Sequence, residues 1–196
     1  MQMYNPVDLK IPLNLAQKEN IVLFPSRLDK NKRLDFLICA FSLLDDELKR
    51  SYKIVVCGDG EERASGERLA KSLGINLQVL GFVKDIQNYY AKAKVVAMSS
   101  RSEGFGNVLV EAIPFDCARI STKAIAGPAE LIKDGWDGFL SEIDDVNEFS
   151  QKLGLLLRDD GLRAEFCKNA RARLAEFDPK HIAQKWVDLA NRALKI

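Results

Sequence analysis

Two acids eight residues apart, Glu103 and Glu111, raise the first chemical question in this sequence. They bracket Gly104-Phe105-Gly106-Asn107 and an apolar stretch, Val108-Leu109-Val110. The two glycines remove side chains where a helix is expected to start, from about Gly106 to Ile113. Accessible backbone N–H groups at such a point attract an anion. If the whole span is helical, eight residues rise about 12 Å and bring the second acid onto a face within about 80° of the first. That is too far for an acid–base dyad acting on one bond. It suits the two hydroxyl-bearing ends of one elongated ligand, with phosphates held between them. Surface charge is the plain alternative for Glu111, but its apolar neighbours Leu109, Val110, Ala112 and Ile113 make an idle acid there unexpected.

Two cations raise the same theme. Arg27 and Lys32 stand five apart, directly after an apolar run, Ile21-Val22-Leu23-Phe24. Solvated turn charges are common, yet a planar guanidinium beside a flexible ammonium also suits a diphosphate. A third candidate is the turn Gly58-Asp59-Gly60-Glu61. It lacks the dinucleotide-binding glycine spacing, since Arg63 stands where the third glycine would be, and no phosphate-loop motif occurs. Nicotinamide enzymes and nucleoside triphosphatases therefore lose ground. The single histidine, His181, sits beside Pro179 and reads as a surface or capping residue rather than a base.

The elements that would position these residues follow from the apolar pattern. Near-continuous apolar runs at 21–24, 53–57, 77–80, 94–99, 118–122 and 138–140 read as strands buried on both faces of a parallel sheet. Helical spacing is expected over 34–44, 61–73, 86–93, 106–113, 128–133, 146–157, 161–173 and 179–194. The fold class is α/β: a doubly wound, Rossmann-like, mostly parallel sheet of about six strands with helices on both faces. In such sheets ligands sit beyond the carboxyl ends of the strands, and the glycines, cations and acids named above all follow strands. The last helix carries Ile182, Trp186, Leu189, Ala190 and Ala193 on one stripe, which is expected to pack.

Bulk properties narrow the field. A chain of 196 residues with 47% hydrophobic and 29% charged residues has the make-up of one globular domain. A net charge of +1 argues against a general nucleic-acid binder. The cysteines Cys39, Cys57, Cys117 and Cys167 show no metal-type pairing, and Cys39 and Cys57 read as small buried hydrophobes. No secretory signal opens the chain and no apolar run is long enough to span a bilayer, so a reducing cytoplasmic setting is expected. Residues 1–18 are polar and irregular and read as a linker remnant, leaving 19–196 as the domain.

Taken in order, Arg27…Lys32, Gly58-Asp59-Gly60, Gly81-Phe82-Val83, Glu103-Gly104-Phe105-Gly106…Glu111-Ala112 and Gly127-Pro128-Ala129-Glu130 resemble the family 4 retaining glycosyltransferases. The likeness is to the C-terminal, nucleotide-sugar-binding half of their two-domain GT-B fold. The resemblance implies that Arg27 and Lys32 hold the donor diphosphate and Glu103 the donor-sugar hydroxyls. Backbone groups of Gly104, Phe105, Gly106 and Asn107 would help, and Glu111 would hold the ribose. Val83 would border the base, with Gly58 and Gly60 near the nucleoside. It implies a donor of UDP or GDP type, no cofactor and no metal. It also implies a hexose passed with retention to a glycan or lipid-linked acceptor, as in bacterial polysaccharide or glycoconjugate synthesis. The acceptor would be held by an N-terminal domain missing here, through which the protein would associate peripherally with the inner face of the plasma membrane. The isolated domain would transfer nothing.

Two departures from the family pattern stand out, Asp116 for an expected glycine and Ala118 for an expected proline. Pro114 is expected to end the preceding helix near Ile113. The rival class is a non-catalytic α/β nucleotide-binding or interaction module. It would not need Arg27 and Lys32 to converge, or a glutamate pair. A phosphorylase would need a much longer chain, and an epimerase a different set of acids and histidines.

Overall fold

The computed structural model describes residues 7, 17–124 and 127–194. Most of the proposed linker lies outside them, as do positions 125–126 and 195–196. Val7 and Lys18, at the linker's described positions, are tied to the domain. Val7 is buried and its N–H donates to the Phe177 carbonyl at 3.3 Å. Lys18 Nζ donates to the carbonyls of Ala93 (2.7 Å) and Phe115 (2.6 Å).

Six strands form one sheet: β1 (Glu19–Phe24), β2 (Lys53–Val56), β3 (Leu77–Val79), β4 (Ala93–Met98), β5 (Ala118–Thr122) and β6 (Phe139–Ser141). Their order is β3-β2-β1-β4-β5-β6, and every neighbouring pair is parallel. Alternation along each strand sends side chains to two cores. Val22, Phe24, Ile54, Val56, Val95 and Ile120 feed the cluster on one face. Ile21, Leu23, Val55, Cys57 and Val96 feed the other. Both faces are therefore apolar, which is why the runs look continuous in sequence.

The helices are α1 (Leu34–Ser42), α2 (Asp46–Ser51), α3 (Arg63–Ser72), α4 (Gln87–Lys92), α5 (Asn107–Glu111), α6 (Pro128–Leu131), α7 (Val146–Arg158), α8 (Asp160–Ala172) and α9 (Pro179–Ala193). The sequence reading did not anticipate α2, which is too short and polar to show an apolar period. It forms because the Asp45 carboxylate accepts from Leu48 N–H at 2.9 Å, with acids in the first turn and Lys49 and Arg50 in the last.

Two expectations are corrected. The helix expected over 106–113 is α5 alone, followed by a separate 3-10 turn, Ile113–Phe115, that carries Pro114. Between the two acids, residues 104–106 are loop and only 107–110 are helical, so the geometry of one continuous helix from acid to acid does not apply. Beyond Ile182, the apolar stripe of α9 does not pack against the described residues. Ile182 is buried, but Trp186 is 55% exposed and Leu189 and Val187 are also open.

The departure at Asp116 has a conformational explanation. Its φ of 51° lies in the left-handed region, where glycine is the easy choice and Asp is among the better-tolerated alternatives. Arg171 then grips its carboxylate in a two-pronged contact, Nε at 2.5 Å and Nη2 at 2.8 Å.

Strand order decides where a site can lie. The chain moves one way from β1 to β3, then crosses back to place β4 on the other side of β1. At this reversal, the loops leaving the carboxyl ends of β1 and β4 diverge to opposite faces and leave a crevice.

Candidate functional site

A cleft of about 510 Å³ occupies that crevice. Arg27, Lys32, Glu103, Gly104, Phe105, Gly106 and Asn107 all border it, together with Pro25 and Ser26. Seven of the eleven site residues read from sequence thus meet in one place, supplied by the loops after β1 and β4.

The two loops are sewn together. The Asn31 amide donates to the Ser102 carbonyl at 2.8 Å and accepts from Ser102 N–H at 3.1 Å. Ser99 Oγ donates to the carbonyls of Lys32 (2.9 Å) and Arg33 (2.8 Å). The Asp29 carboxylate accepts from the N–H groups of Asn31 and Lys32, both at 3.0 Å, and so shapes the first loop. Arg33, in the left-handed region at φ 57°, pairs with Asp144 from the loop before α7. The Lys30-Asn31-Lys32-Arg33 run is therefore mainly loop architecture, with Lys32 alone of the four turned into the cleft.

At the centre, Lys32 Nζ lies 2.6 Å from Glu103 Oε1, and the side chains are only 18% and 10% exposed. Ser100 Oγ donates to the same oxygen at 2.5 Å. Ser100 is itself buried, and its carbonyl accepts from Thr122 Oγ1 on β5 at 2.6 Å. Glu103 is thus fixed and its charge compensated. Arg27 differs: its side chain is 82% exposed and, among the described residues, its one ion pair is with Asp29, at 3.4 Å. It is free to swing toward an anion in the cleft. Gly106 caps α5 with φ 96°, and its carbonyl accepts from the Leu109 N–H at 2.9 Å. Five residues of helix carry little macrodipole, so attraction there rests on the local N–H groups.

The remaining four residues lie outside this cleft. Glu111 borders a separate pocket of about 220 Å³ with Tyr90, Ile86, Gln87, Phe115 and Val7. The Tyr90 hydroxyl donates to Glu111 Oε2 at 2.9 Å. Among the described residues no cation pairs with Glu111. Val83 is half-buried and packs with Ile86 and Tyr89 on the core beneath. Gly58 and Gly60 are needed for close approach between loops. A Cβ on Gly58 would stand 1.8 Å from the Ser26 carbonyl oxygen, and one on Gly60 2.3 Å from that of Leu28. These glycines let the loop after β2 brace the loop that carries Arg27.

A buried ionic cluster behind the site was missed in sequence. Arg119, on β5 and 1% exposed, pairs with Asp137 at 3.0 Å and donates to the carbonyls of Leu131 (3.2 Å) and Leu109 (3.4 Å). Arg173 pairs with the same carboxylate at 2.9 Å and donates to the Glu130 carbonyl at 2.9 Å. The pair of guanidinium groups thereby ties α5, α6 and β5 together. An arginine inside a strand expected to be buried on both faces was the available signal.

Burial raises all four thiols above the ordinary cysteine value, and Cys39, expected to be buried, is only partly so. Burial pushes Cys57 and Cys117 up to about 11 and Cys167 to about 12. No described helix is long and apolar enough to cross a membrane.

Residues 8–173 match the family described as glycosyl transferases group 1. A Campylobacter jejuni alpha-1,4-N-acetyl-D-galactosaminyltransferase, named for a GalNAc-containing diNAcBac-PP-undecaprenol, is 41% identical over 173 residues, covering 88% of this chain and 48% of the relative. A second C. jejuni enzyme, an N-acetylgalactosamine-N,N'-diacetylbacillosaminyl-diphospho-undecaprenol 4-alpha-N-acetylgalactosaminyltransferase, is 35% identical and is covered over 51% of its length. Among solved structures, a mutant of S. aureus TarM in complex with fondaparinux, alpha-GlcNAc-glycerol and UDP superposes with a TM-score of 0.85 at 26% identity. That match covers 96% of this chain and 39% of TarM. Anabaena Alr3699/HepE in complex with UDP and glucose gives 0.83 at 26% identity, covering 96% of this chain and 56% of HepE. The chain spans about half the length of these two curated relatives.

Proposed function

The chain belongs to the group 1 glycosyl transferases, and we propose that it is the donor-binding half of a retaining, family 4 type member. The observation that carries this is the meeting of Arg27, Lys32, Glu103 and the 104–107 backbone in one cleft at the reversal of strand order. The cleft takes the diphosphate and sugar of a UDP or GDP hexose. Arg27 and Lys32 face the diphosphate, and Glu103 holds sugar hydroxyls. Glu111, in its neighbouring pocket, takes the ribose, with Val83 toward the base.

As the bond from the anomeric carbon to the diphosphate oxygen breaks, positive charge develops on the sugar and negative charge on the leaving group. The two cations and the N–H groups of 104–107 stabilise the departing diphosphate. The acceptor hydroxyl bonds to the same face of the anomeric carbon and gives its proton to the leaving phosphate oxygen. This reading calls for no metal or cofactor.

A glycan or lipid-linked acceptor fits the diphospho-undecaprenol substrates in the C. jejuni relatives' names. Such an acceptor places the whole protein at the cytoplasmic face of the membrane, in bacterial glycan synthesis. A second domain would hold it, and the open apolar side of α9, with Trp186, Val187 and Leu189, offers that domain a surface. Alone, this half binds donor and transfers nothing.

Calorimetry with UDP and GDP sugars tests the reading. Binding that is weakened by Arg27→Ala and by Glu111→Ala is the expected result. No binding, or binding indifferent to both substitutions, would falsify it.

A further inference from the structure

We propose that Tyr90 is a positioning residue for Glu111, fixing its carboxylate so that one oxygen faces the pocket as a receptor for a vicinal diol; this rests on Glu111 as the ribose-binding acid. Glu111 is half-buried and, among the described residues, has no cation to neutralise it. A carboxylate so placed needs a donor, and Tyr90 is the one present, at 2.9 Å from Oε2. The phenol can only donate to a carboxylate, so the contact has a single sense. Burial and the nearby carboxylate hold the Tyr90 hydroxyl well above its ordinary value, and it stays protonated.

Tyr90 is rigid where it matters. It is 1% exposed, and its ring stacks on Phe115 with centroids 5.6 Å apart. Its carbonyl accepts from Lys18 Nζ at 3.2 Å, and the same ammonium holds the Phe115 carbonyl at 2.6 Å. Lys18 thus clamps both halves of the stack. A glutamate side chain has three rotatable torsions, and leaving it loose would add an ordering cost to every binding event. With Oε2 occupied by the phenol, Oε1 is left to accept hydroxyl donors from the 220 Å³ pocket.

The test compares UDP and GDP with their 2′-deoxy forms, by calorimetry, on wild type, Tyr90→Phe, Glu111→Gln and the double variant. Tyr90→Phe removes one oxygen and keeps the stack. It should weaken the ribose nucleotide about fivefold to tenfold and the 2′-deoxy form less than about twofold. Once Glu111→Gln is in place, adding Tyr90→Phe should cost little, because the two act as a unit. Unfolding of the free variants below pH 9 checks that the fold is intact. Equal weakening of both nucleotide forms by Tyr90→Phe, or none, overturns the positioning role while leaving Glu111 on the ribose. Indifference of wild type to the 2′-hydroxyl, or of binding to Glu111→Gln, overturns the ribose assignment itself and this inference with it.

Discussion

Glu103 and Glu111 look equivalent in sequence, two acids flanking one glycine-rich segment, but the fold gives them opposite surroundings. Glu103 is neutralised by Lys32 and anchored by Ser100, inside a cleft walled by two loops that Asn31 and Ser99 stitch together. Glu111 has a neutral phenol for a partner and, among the described residues, no cation beside it. The first arrangement tolerates a diphosphate nearby, because the acid's field is already cancelled. The second would repel phosphate and suits hydroxyl donors. Residue type alone does not assign a role to an acid; the charge of its neighbour does.

The contrast can be broken at its strongest point first. Lys32→Ala removes the half-buried cation and leaves Glu103 uncompensated, so affinity for a nucleoside diphosphate and for free pyrophosphate should both fall about 30-fold or more by calorimetry. Glu111→Ala should lower nucleoside diphosphate affinity about tenfold and leave pyrophosphate binding unchanged. If pyrophosphate responded equally to both substitutions, the two acids would share one pocket and the contrast would be lost. Glu103→Gln is subtler. It should weaken a nucleotide sugar about fivefold, while the nucleotide without its sugar holds or gains slightly, since a carboxylate has left the phosphate's neighbourhood.

Alkali should separate the regions again. The raised Tyr90 value means that folding favours the neutral phenol. That stabilising contribution is whole below about pH 10, the ordinary phenol value, and is lost as pH climbs toward the folded value. Urea unfolding at pH 9 and pH 11 should show a smaller alkaline loss for Tyr90→Phe than for wild type. The smallest effect is expected at a residue that lines neither pocket. Asp116→Gly loses the half-exposed contact with Arg171 but relieves a left-handed backbone. The thermal midpoint should move by less than about 3 °C, with nucleotide affinity unchanged.

The sheet was legible because strands covered on both faces cannot hide their apolar runs, and the six runs correspond to six strands. The cleft was largely legible too, since glycines, cations and acids after strands must collect at one edge. Strand order was not legible: nothing local in Phe24 or Met98 says that β1 and β4 are neighbours. The separation of Glu103 and Glu111 was not legible either, because the helix begins only at Asn107 and Glu103 lies outside it. Tyr90 escaped notice because one tyrosine on a short helix has no distinguishing pattern. The α9 stripe has the right period, but period alone does not say what covers it.

The buried cluster of Arg119, Asp137 and Arg173 bears on how this domain can change. Removing Asp137 would strand two guanidinium groups in the interior; removing Arg173 would take the side-chain donor from the Glu130 carbonyl, and removing Arg119 would take it from the carbonyls of Leu109 and Asp137. Single steps through these positions are therefore closed, while a joint replacement by apolar residues is open. Chimeras that exchange β5 between related proteins should fold only when positions 137 and 173 travel with it. The boundary of a transplantable unit in this fold is thus drawn by one guanidinium in a strand, not by the edges of the strand itself.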